Sequence, residues 1–493
     1  MINNSSQKIF NNSILYALGT IASKATAFIL IPIYTFNLTS TEYGIATTIT
    51  TFVSTFGIVI MLSLRAAIIR FLNEYSDREK QIFIGTVVIA VMVNSLLFCC
   101  LLCGFKNLYI HLIFKDISFY PYVLIGILSL CTEGIYLVYQ SVLQAKQFGG
   151  LYSINSCIYL VTNTVFVIIL VLLLKLSILG VVLANFLTNL FFAIYGIIDM
   201  KRRKYMIFVF NKEMFKKSIK YSLPILPHNL ANDLNVYSNK IIISNCLNYA
   251  LSGIYSLASQ FSSVVNLIQN SINLAFRPWF IEQMQLGNEG RKQIKYMTEM
   301  VMSLFCFISV TVAVFSREFV MMFASEQYHE AWSIIPLFIF VQLVTFIYYS
   351  HVQTLMYNVA MSKFTAISSI TGLLINIAVA LLLVKPLGVY GIAIAQLISK
   401  AVLSIIVVVL SNYAEHVDFG LKRMIISLLI AVALMGVSVA LSSYISGGMS
   451  QIISIILRLL IVGISFFAYI SNYIADYKSL FLGILHRKDK NHG

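Results

Sequence analysis

Lys24 stands near the midpoint of an apolar run from Ile14 to Phe36, inside the stretch KATAFILIPIYTFNLTSTEYG. About 20 residues rising about 1.5 Å each match a hydrocarbon core of about 30 Å. The Lys24 ammonium would therefore lie deep in a bilayer, where a charge costs roughly 2.5–3.5 kcal/mol and faces a protein interior or a watery cavity. Its chemistry there is that of a point charge for an anion such as a phosphate. Other ionisable groups share the setting. Glu133, Asp233, Lys240 and Lys400 fall within apolar spans, while Arg65, Arg70 and Arg277 fall toward the ends of two of them. Cations predominate, which suits an anionic passenger. Lys24, Arg65, Arg70, Lys240 and Arg277 are the candidate binding residues. Asp233 and Lys240 are seven residues apart and share a helix face; with Glu133 and Lys400 they are also readable as mutual charge compensation or as an ion-coupling set.

Other chemistries lack their residues. No Gly-Lys dipeptide occurs, so there is no Walker A loop for ATP, and no HExxH helix for zinc. Cys99, Cys100 and Cys103 form a CxxC inside an apolar span, where packing explains them. His228 and His351 stand alone in or near spans and suit packing or local hydrogen bonding. No catalytic residue, metal ligand set or cofactor is expected. The outer loops are short apart from about ten residues near 323–331, which argues against a polysaccharide polymerase or ligase.

The elements that must position these groups are membrane helices. The chain has 493 residues, 59% of them hydrophobic and 11% charged, with a mean hydropathy of +0.87; soluble domains carry about 25% charged residues. Apolar segments fall near 14–36, 44–65, 82–104, 120–143, 152–174, 177–199, 217–243, 250–273, 298–322, 332–356, 364–384, 387–411, 421–442 and 452–473. Each is too long and continuous for a barrel strand, and a spanning backbone must satisfy itself internally. The expectation is an all-α polytopic membrane protein of about fourteen helices. The short leader MINNSSQKIFNNS is followed by no small-residue cleavage site, so the first run reads as a retained span.

Basic residues orient the chain. With the N-terminus inside, Arg70, Arg78, Lys80, Lys146, the Lys201-Arg202-Arg203-Lys204 cluster, Lys212, Lys216, Lys217, Lys220, Arg291, Lys292, Lys295, Lys363, Lys422, Arg423 and the Arg487-Lys488-Lys490 tail are cytoplasmic. The opposite loops keep Lys106, Lys115, Lys175, Arg317 and Lys385. The expected topology has both termini on the cytoplasmic side of the membrane. The net charge of +15 then reports topology and attraction to anionic lipid rather than a nucleic-acid partner.

An internal repeat is also visible. LTSTEYGIATTIT at 38–50 resembles LNYALSGIYSLAS at 247–259, and LSILGVVLANFLT at 176–188 resembles PLGVYGIAIAQLI at 386–398. The nearly equal offsets predict two parallel six-helix lobes, 1–205 and 206–411, followed by two further helices and a basic tail in 412–493, an arrangement known in alternating-access transporters. Pro32 in the first helix and Pro224 and Pro227 in the seventh are expected to interrupt the opening helix of each lobe.

The residues GTIASKATAFILIPIYTFNLTSTEYG, with Leu38, Glu42, Tyr43 and Gly44 closing the first hairpin, resemble the opening signature of the polysaccharide flippases, the O-antigen type, in the multidrug/oligosaccharidyl-lipid/polysaccharide exporter superfamily. The resemblance continues through RFLNE (70–74), VLQAKQ (142–147), YSLPILPHNLANDLNVYSNKIIIS (221–244), SGIYSLASQFSS (252–263), AFRPWF (275–280) and PLGVYGIAIAQLIS (386–399). It implies a V-shaped pair of lobes around a central cavity that flips a polyprenyl-diphosphate-linked oligosaccharide from the cytoplasmic to the outer leaflet. Partners in that reading are the lipid-linked glycan and membrane lipids, with a polysaccharide polymerase and glycosyltransferases as further candidates. Asn239 departs from the family pattern, which often has an acidic residue there. A lipid II flippase, a drug or ion antiporter of the same fold, and a noncatalytic scaffold of a glycan assembly complex remain open as alternatives.

Overall fold

The computed structural model describes residues 28–474 except 116, 359–360, 362 and 446–450. Lys24 lies outside the described residues. Within them every regular element is helical. Among the described residues nine helices are long and apolar enough to cross a membrane: Ser40–Met61, Asp77–Gly104, Phe119–Ala145, Gly149–Leu173, Ser177–Arg202, Asn288–Val314, Glu326–Tyr357, Ile367–Ala414 and Leu421–Ser442. Phe28–Asn37 and Ile453–Tyr469 are shorter apolar helices. The helices Leu226–Cys246 and Tyr249–Gln285 occupy the region of the expected seventh and eighth spans. An all-helical membrane fold follows from the sequence physics, because uninterrupted apolar runs can satisfy their N–H and C=O groups in lipid only within themselves.

Three breaks refine the expected spans. The run Lys363–Ala414 covers 52 residues, but Gly388 inside it adopts φ 57° and ψ −136°, a region essentially restricted to glycine. It separates the spans expected at 364–384 and 387–411. A Gly388→Ala substitution should cost about 1–3 kcal/mol from backbone strain alone, read as a lowered melting temperature in detergent. The expected span 217–243 divides into the basic amphipathic helix Lys212–Ser222, a 3₁₀ turn at Leu223–Ile225 and the helix Leu226–Cys246, so Pro224 and Pro227 do mark an interruption. Pro32 does not: Phe28–Asn37 continues through it. Finally, Ser40–Met61 ends at Leu62 and Ser63, both left-handed with φ 47° and 54°, before the short helix Leu64–Phe71 begins.

The chain divides into two compact units. One comprises Met1–Gln260, Phe323–Tyr328 and Ser369–Ala395, the other Phe261–Met322, His329–Ser368 and Gln396–Gly493. In the first unit Phe119–Ala145 packs extensively against Ser177–Arg202. Gly196 makes that approach possible, since a Cβ there would lie 3.1 Å from the Tyr139 ring, and the Tyr139 hydroxyl donates to Asp199 at 2.8 Å. The first hairpin is tied both within itself and to distant residues. Thr39 and Glu42 form a capping box at the start of Ser40–Met61, Ser177 donates to Glu42 at 2.6 Å, and Tyr328 donates to the Leu38 carbonyl at 3.0 Å.

The start of Ser40–Met61 crosses the start of Tyr249–Gln285 in direct backbone contact. A Cβ on Gly44 would lie 1.9 Å from the Tyr249 carbonyl oxygen, and one on Gly253 would lie 2.1 Å from the Ser40 carbonyl oxygen. Thr47 and Ser256 hydroxyls meet at 3.0 Å. Ser40 with Tyr249, Gly44 with Gly253 and Thr47 with Ser256 are pairs separated by the offset of the first sequence repeat.

In the second unit Asn288–Val314 packs on Leu421–Ile445 and Gln451–Tyr469. Arg458, 1% exposed, binds these helices together. It pairs with Glu318 at 2.9 Å, donates to Ser442 at 2.8 Å, and also reaches the Val314 carbonyl. Around residues 415–423, Arg291 pairs with Glu415 at 2.6 Å, Lys295 with Asp418 at 2.6 Å and Arg423 with Glu299 at 3.1 Å. The hydrogen bond from Lys295 holds the Asp418 carboxyl below its ordinary range.

Candidate functional site

Three cavities lie among the helices of the first unit. One, of about 410 Å³, is lined by Tyr34, Glu133, Tyr136, Tyr159, Asn163 and Gln260 among others. A second, of about 150 Å³, shares Glu133, Tyr159, Asn185 and Asn189 with it. The third, of about 500 Å³, is lined by Ser54, Gly57, Ser63, Arg65, Asn229 and Asp233, and shares Leu137 with the first. Phenols, carboxamides and hydroxyls at the level of apolar spans are expensive to leave facing lipid. They suit water and a polar passenger.

The lining is built from local helix geometry. Tyr136 and Gln140 are four residues apart on one helix face, and the Gln140 amide donates to the Tyr136 hydroxyl at 2.6 Å. Tyr136 and Tyr159 stack at 4.9 Å with an 11° interplanar angle. Tyr159 donates to Asn189 Oδ1 at 2.9 Å, Asn189 donates to Ser129 at 3.0 Å, and Asn163 donates to Thr188 at 3.3 Å. Glu133 Oε2, buried, has no hydrogen-bond partner. Gly57 faces it, and a Cβ there would lie 3.6 Å from that oxygen.

The sequence-predicted residues separate in space. Arg65 and Asp233 meet in the third cavity, where Arg65 also donates to Gln144 at 3.0 Å. Glu133 lines the other two. Arg70 lies outside the cavity linings; it pairs with Glu74, which Lys217 also contacts at 3.2 Å. The Lys217 hydrogen bond, with the charges of Arg70 and Lys217, keeps the Glu74 carboxyl below the usual carboxylate range. Lys240, 8% exposed, donates to Thr51 Oγ1 at 2.7 Å and to the Thr47 carbonyl at 3.2 Å, pinning Leu226–Cys246 to Ser40–Met61. Arg277 and Lys400 belong to the second unit, the first exposed and the second half-buried. Asn239, fully buried, accepts from Asn376 at 2.8 Å and donates to Tyr255 at 3.3 Å. His228 shares a hydrogen bond with Ser369, and His351 with the Ile347 carbonyl, both at 2.9 Å.

Sequence reasoning missed the tyrosine and carboxamide lining, because its members come from several helices at unrelated spacings. It also passed over Arg458, although the rule that singled out Lys24, a charge inside an apolar span, applies to it equally.

Comparison with known proteins agrees with this picture. Lsg locus putative protein 1 of Haemophilus influenzae is 24% identical over 285 residues, covering 56% of this chain and 67% of that protein. The solved structure of the lipid II flippase MurJ in an inward closed conformation superposes with a TM-score of 0.69 at 16% identity, over 94% of this chain and 99% of that one. An inward-facing multidrug resistance MATE family transporter superposes with a TM-score of 0.61 at 14% identity, over 84% and 95%. These similarities establish the fold, one carried by transporters and a flippase rather than by catalytic enzymes. A sequence profile of polysaccharide biosynthesis proteins matches residues 9–285, more than half of the chain, and on that match the chain belongs to the polysaccharide biosynthesis protein family.

Proposed function

We propose that this protein is a flippase that carries a polyprenyl-diphosphate-linked oligosaccharide, a repeat unit of a surface polysaccharide or O-antigen, from the cytoplasmic to the outer leaflet. The observation that carries the reading is the set of polar cavities at membrane depth, of about 410 and 500 Å³, which share Leu137. A diphosphate and a glycan cannot cross hydrocarbon unaided, and these cavities offer hydrogen-bonding groups along a path while the polyprenyl tail stays in lipid. Family membership and the fold of a lipid II flippase support the same passenger class. An antiporter of aromatic drugs or cations has no use for Arg65 in the larger cavity.

In this reading Arg65 holds the diphosphate, with Lys24 and Arg277 as further cations for the passenger. Lys240 acts indirectly, by fixing Ser40–Met61. The lobes are 1–205 and 206–411, with 412–493 added, and they alternate access about the crossing at Gly44 and Gly253. The 200–220 segment and both termini face the cytoplasm of a bacterial inner membrane, as the basic residues favour. A polysaccharide polymerase and glycosyltransferases are the proposed partners downstream and upstream.

Purified protein in vesicles, supplied with a fluorescent undecaprenyl-diphosphate saccharide, tests the proposal. Arg65→Ala should slow flipping by about tenfold or more through loss of a charge-assisted contact, whereas Arg70→Ala, paired to Glu74 away from the cavities, should change it less than about twofold. Absence of flipping by the wild type would leave the scaffold reading, and equal effects of the two substitutions would remove Arg65 from the path.

A further inference from the structure

The cavities around Glu133 carry more information than polarity. Glu133 is the one charged group among the described residues lining either of them. Their other polar groups largely satisfy one another: Tyr159 serves Asn189, Asn189 serves Ser129, and Asn163 serves Thr188. Glu133 Oε2 alone is buried among them with no hydrogen-bond donor, and it abuts Gly57, a residue of the third cavity whose Cβ would lie 3.6 Å from it. A buried acceptor without a donor is costly, and Glu133, which lines both cavities, leaves the rest of its carboxylate to accept from a ligand that brings donors. The adjoining Tyr136 and Tyr159 rings are stacked at 4.9 Å and offer the flat apolar surface against which the C–H face of a pyranose packs.

We propose that this part of the cavity is the glycan subsite, and that Glu133 is a specificity-determining residue that selects a passenger sugar presenting hydroxyl or ammonium donors and rejects a carboxylated one. The inference rests on the flippase reading and adds the class of sugar. A hydroxyl of a neutral N-acetylhexosamine can donate to this carboxylate. A uronic acid would bring a second anion against Glu133 with no neighbouring cation among the described lining, and a site that leaves a charge unpaired discriminates strongly. The diphosphate, by contrast, belongs with Arg65 in the neighbouring cavity beyond Leu137, where the one arginine stands with Asp233.

The experiment compares wild type and Glu133→Gln in phosphatidylethanolamine/phosphatidylglycerol vesicles with two probes: undecaprenyl diphosphate bearing a single N-acetylhexosamine, and the same carrier bearing the corresponding hexuronic acid. The wild type should flip the neutral probe about tenfold or more faster than the acidic one. Glu133→Gln, which keeps the shape and removes the charge, should bring the ratio within about twofold, chiefly by accelerating the acidic probe. The ratio is internal to each preparation, so partial loss of folded protein does not alter it. A ratio unchanged by Glu133→Gln overturns the proposal. A ratio unchanged while Glu133→Gln abolishes dependence on an imposed proton or sodium gradient also overturns it, and assigns Glu133 to ion coupling instead. If the wild type moves neither probe, the flippase reading fails and the inference fails with it.

Discussion

Gly44→Val is expected to reduce transport by at least about tenfold while the protein still inserts, because the crossing it occupies has no room for a side chain. The first atom of that side chain would sit 1.9 Å from the Tyr249 carbonyl oxygen, and ordinary contact needs about 3.5 Å or more. The obstacle is backbone and cannot rotate aside, so the two helices must separate. Cysteines at 47 and 256 report the separation. In a chain whose seven native cysteines are replaced, Thr47→Cys with Ser256→Cys should form a disulfide efficiently, since the native hydroxyls meet at 3.0 Å. Formation of that bond should stop transport, and reduction should restore it. Adding Gly44→Val should lower the yield of the bond severalfold. Gly104→Val serves as the control, because a Cβ there meets nothing within 4 Å. Transport that continues with the 47–256 bond complete would show that this crossing need not open during the cycle.

The second large effect is expected at Arg458→Leu. Removing one partner of a buried ion pair destabilises by about 3–5 kcal/mol when the other stays buried. Glu318 keeps 34% of its side-chain surface exposed and can partly rehydrate, so its share is reduced. The Val314 carbonyl and the Ser442 hydroxyl lose a donor in a fully buried place, which costs about 1–3 kcal/mol per group. The total should fall near 3 kcal/mol, visible as a large drop in melting temperature in mild detergent. Arg458→Leu with Glu318→Gln should recover part of the loss by removing the unpaired carboxylate. Arg458→Lys should recover less than half, because an ammonium cannot reach the carboxylate, the serine and the carbonyl with one fork. A melting temperature unmoved by Arg458→Leu would deny the residue its anchoring role.

Much of this architecture was legible before any coordinates. Long apolar runs demand helices in lipid, and the Pro224–Pro227 pair marked the turn at Leu223–Ile225. The break at Leu62 and Ser63 was invisible, because neither glycine nor proline stands there and left-handed backbone at leucine and serine leaves no mark in composition. Glu133 and Arg65 were legible as charges in apolar company. Their assignment to different cavities was not, since that depends on which faces of Leu64–Phe71 and Phe119–Ala145 turn toward each other. Lys240 was legible as a buried cation but not as a fastener, because its partners Thr47 and Thr51 lie nearly two hundred residues away in sequence.

The crossing at Gly44 and Gly253 also has a local symmetry. Each residue touches the counterpart of its own neighbour, so that Gly44 meets Tyr249 while Gly253 meets Ser40. That reciprocity is the mark of an isologous interface in a homodimer, where one surface patch meets its own copy across a two-fold axis. A single chain that shows it behaves at this point like two joined protomers. The hydroxyl pair is threonine on one side and serine on the other, and Ser40 has Tyr249 as its counterpart, yet both central positions are glycine. Side chains on an axis can be exchanged for others that reach equally well, whereas a place where backbone touches backbone admits one residue type in either copy.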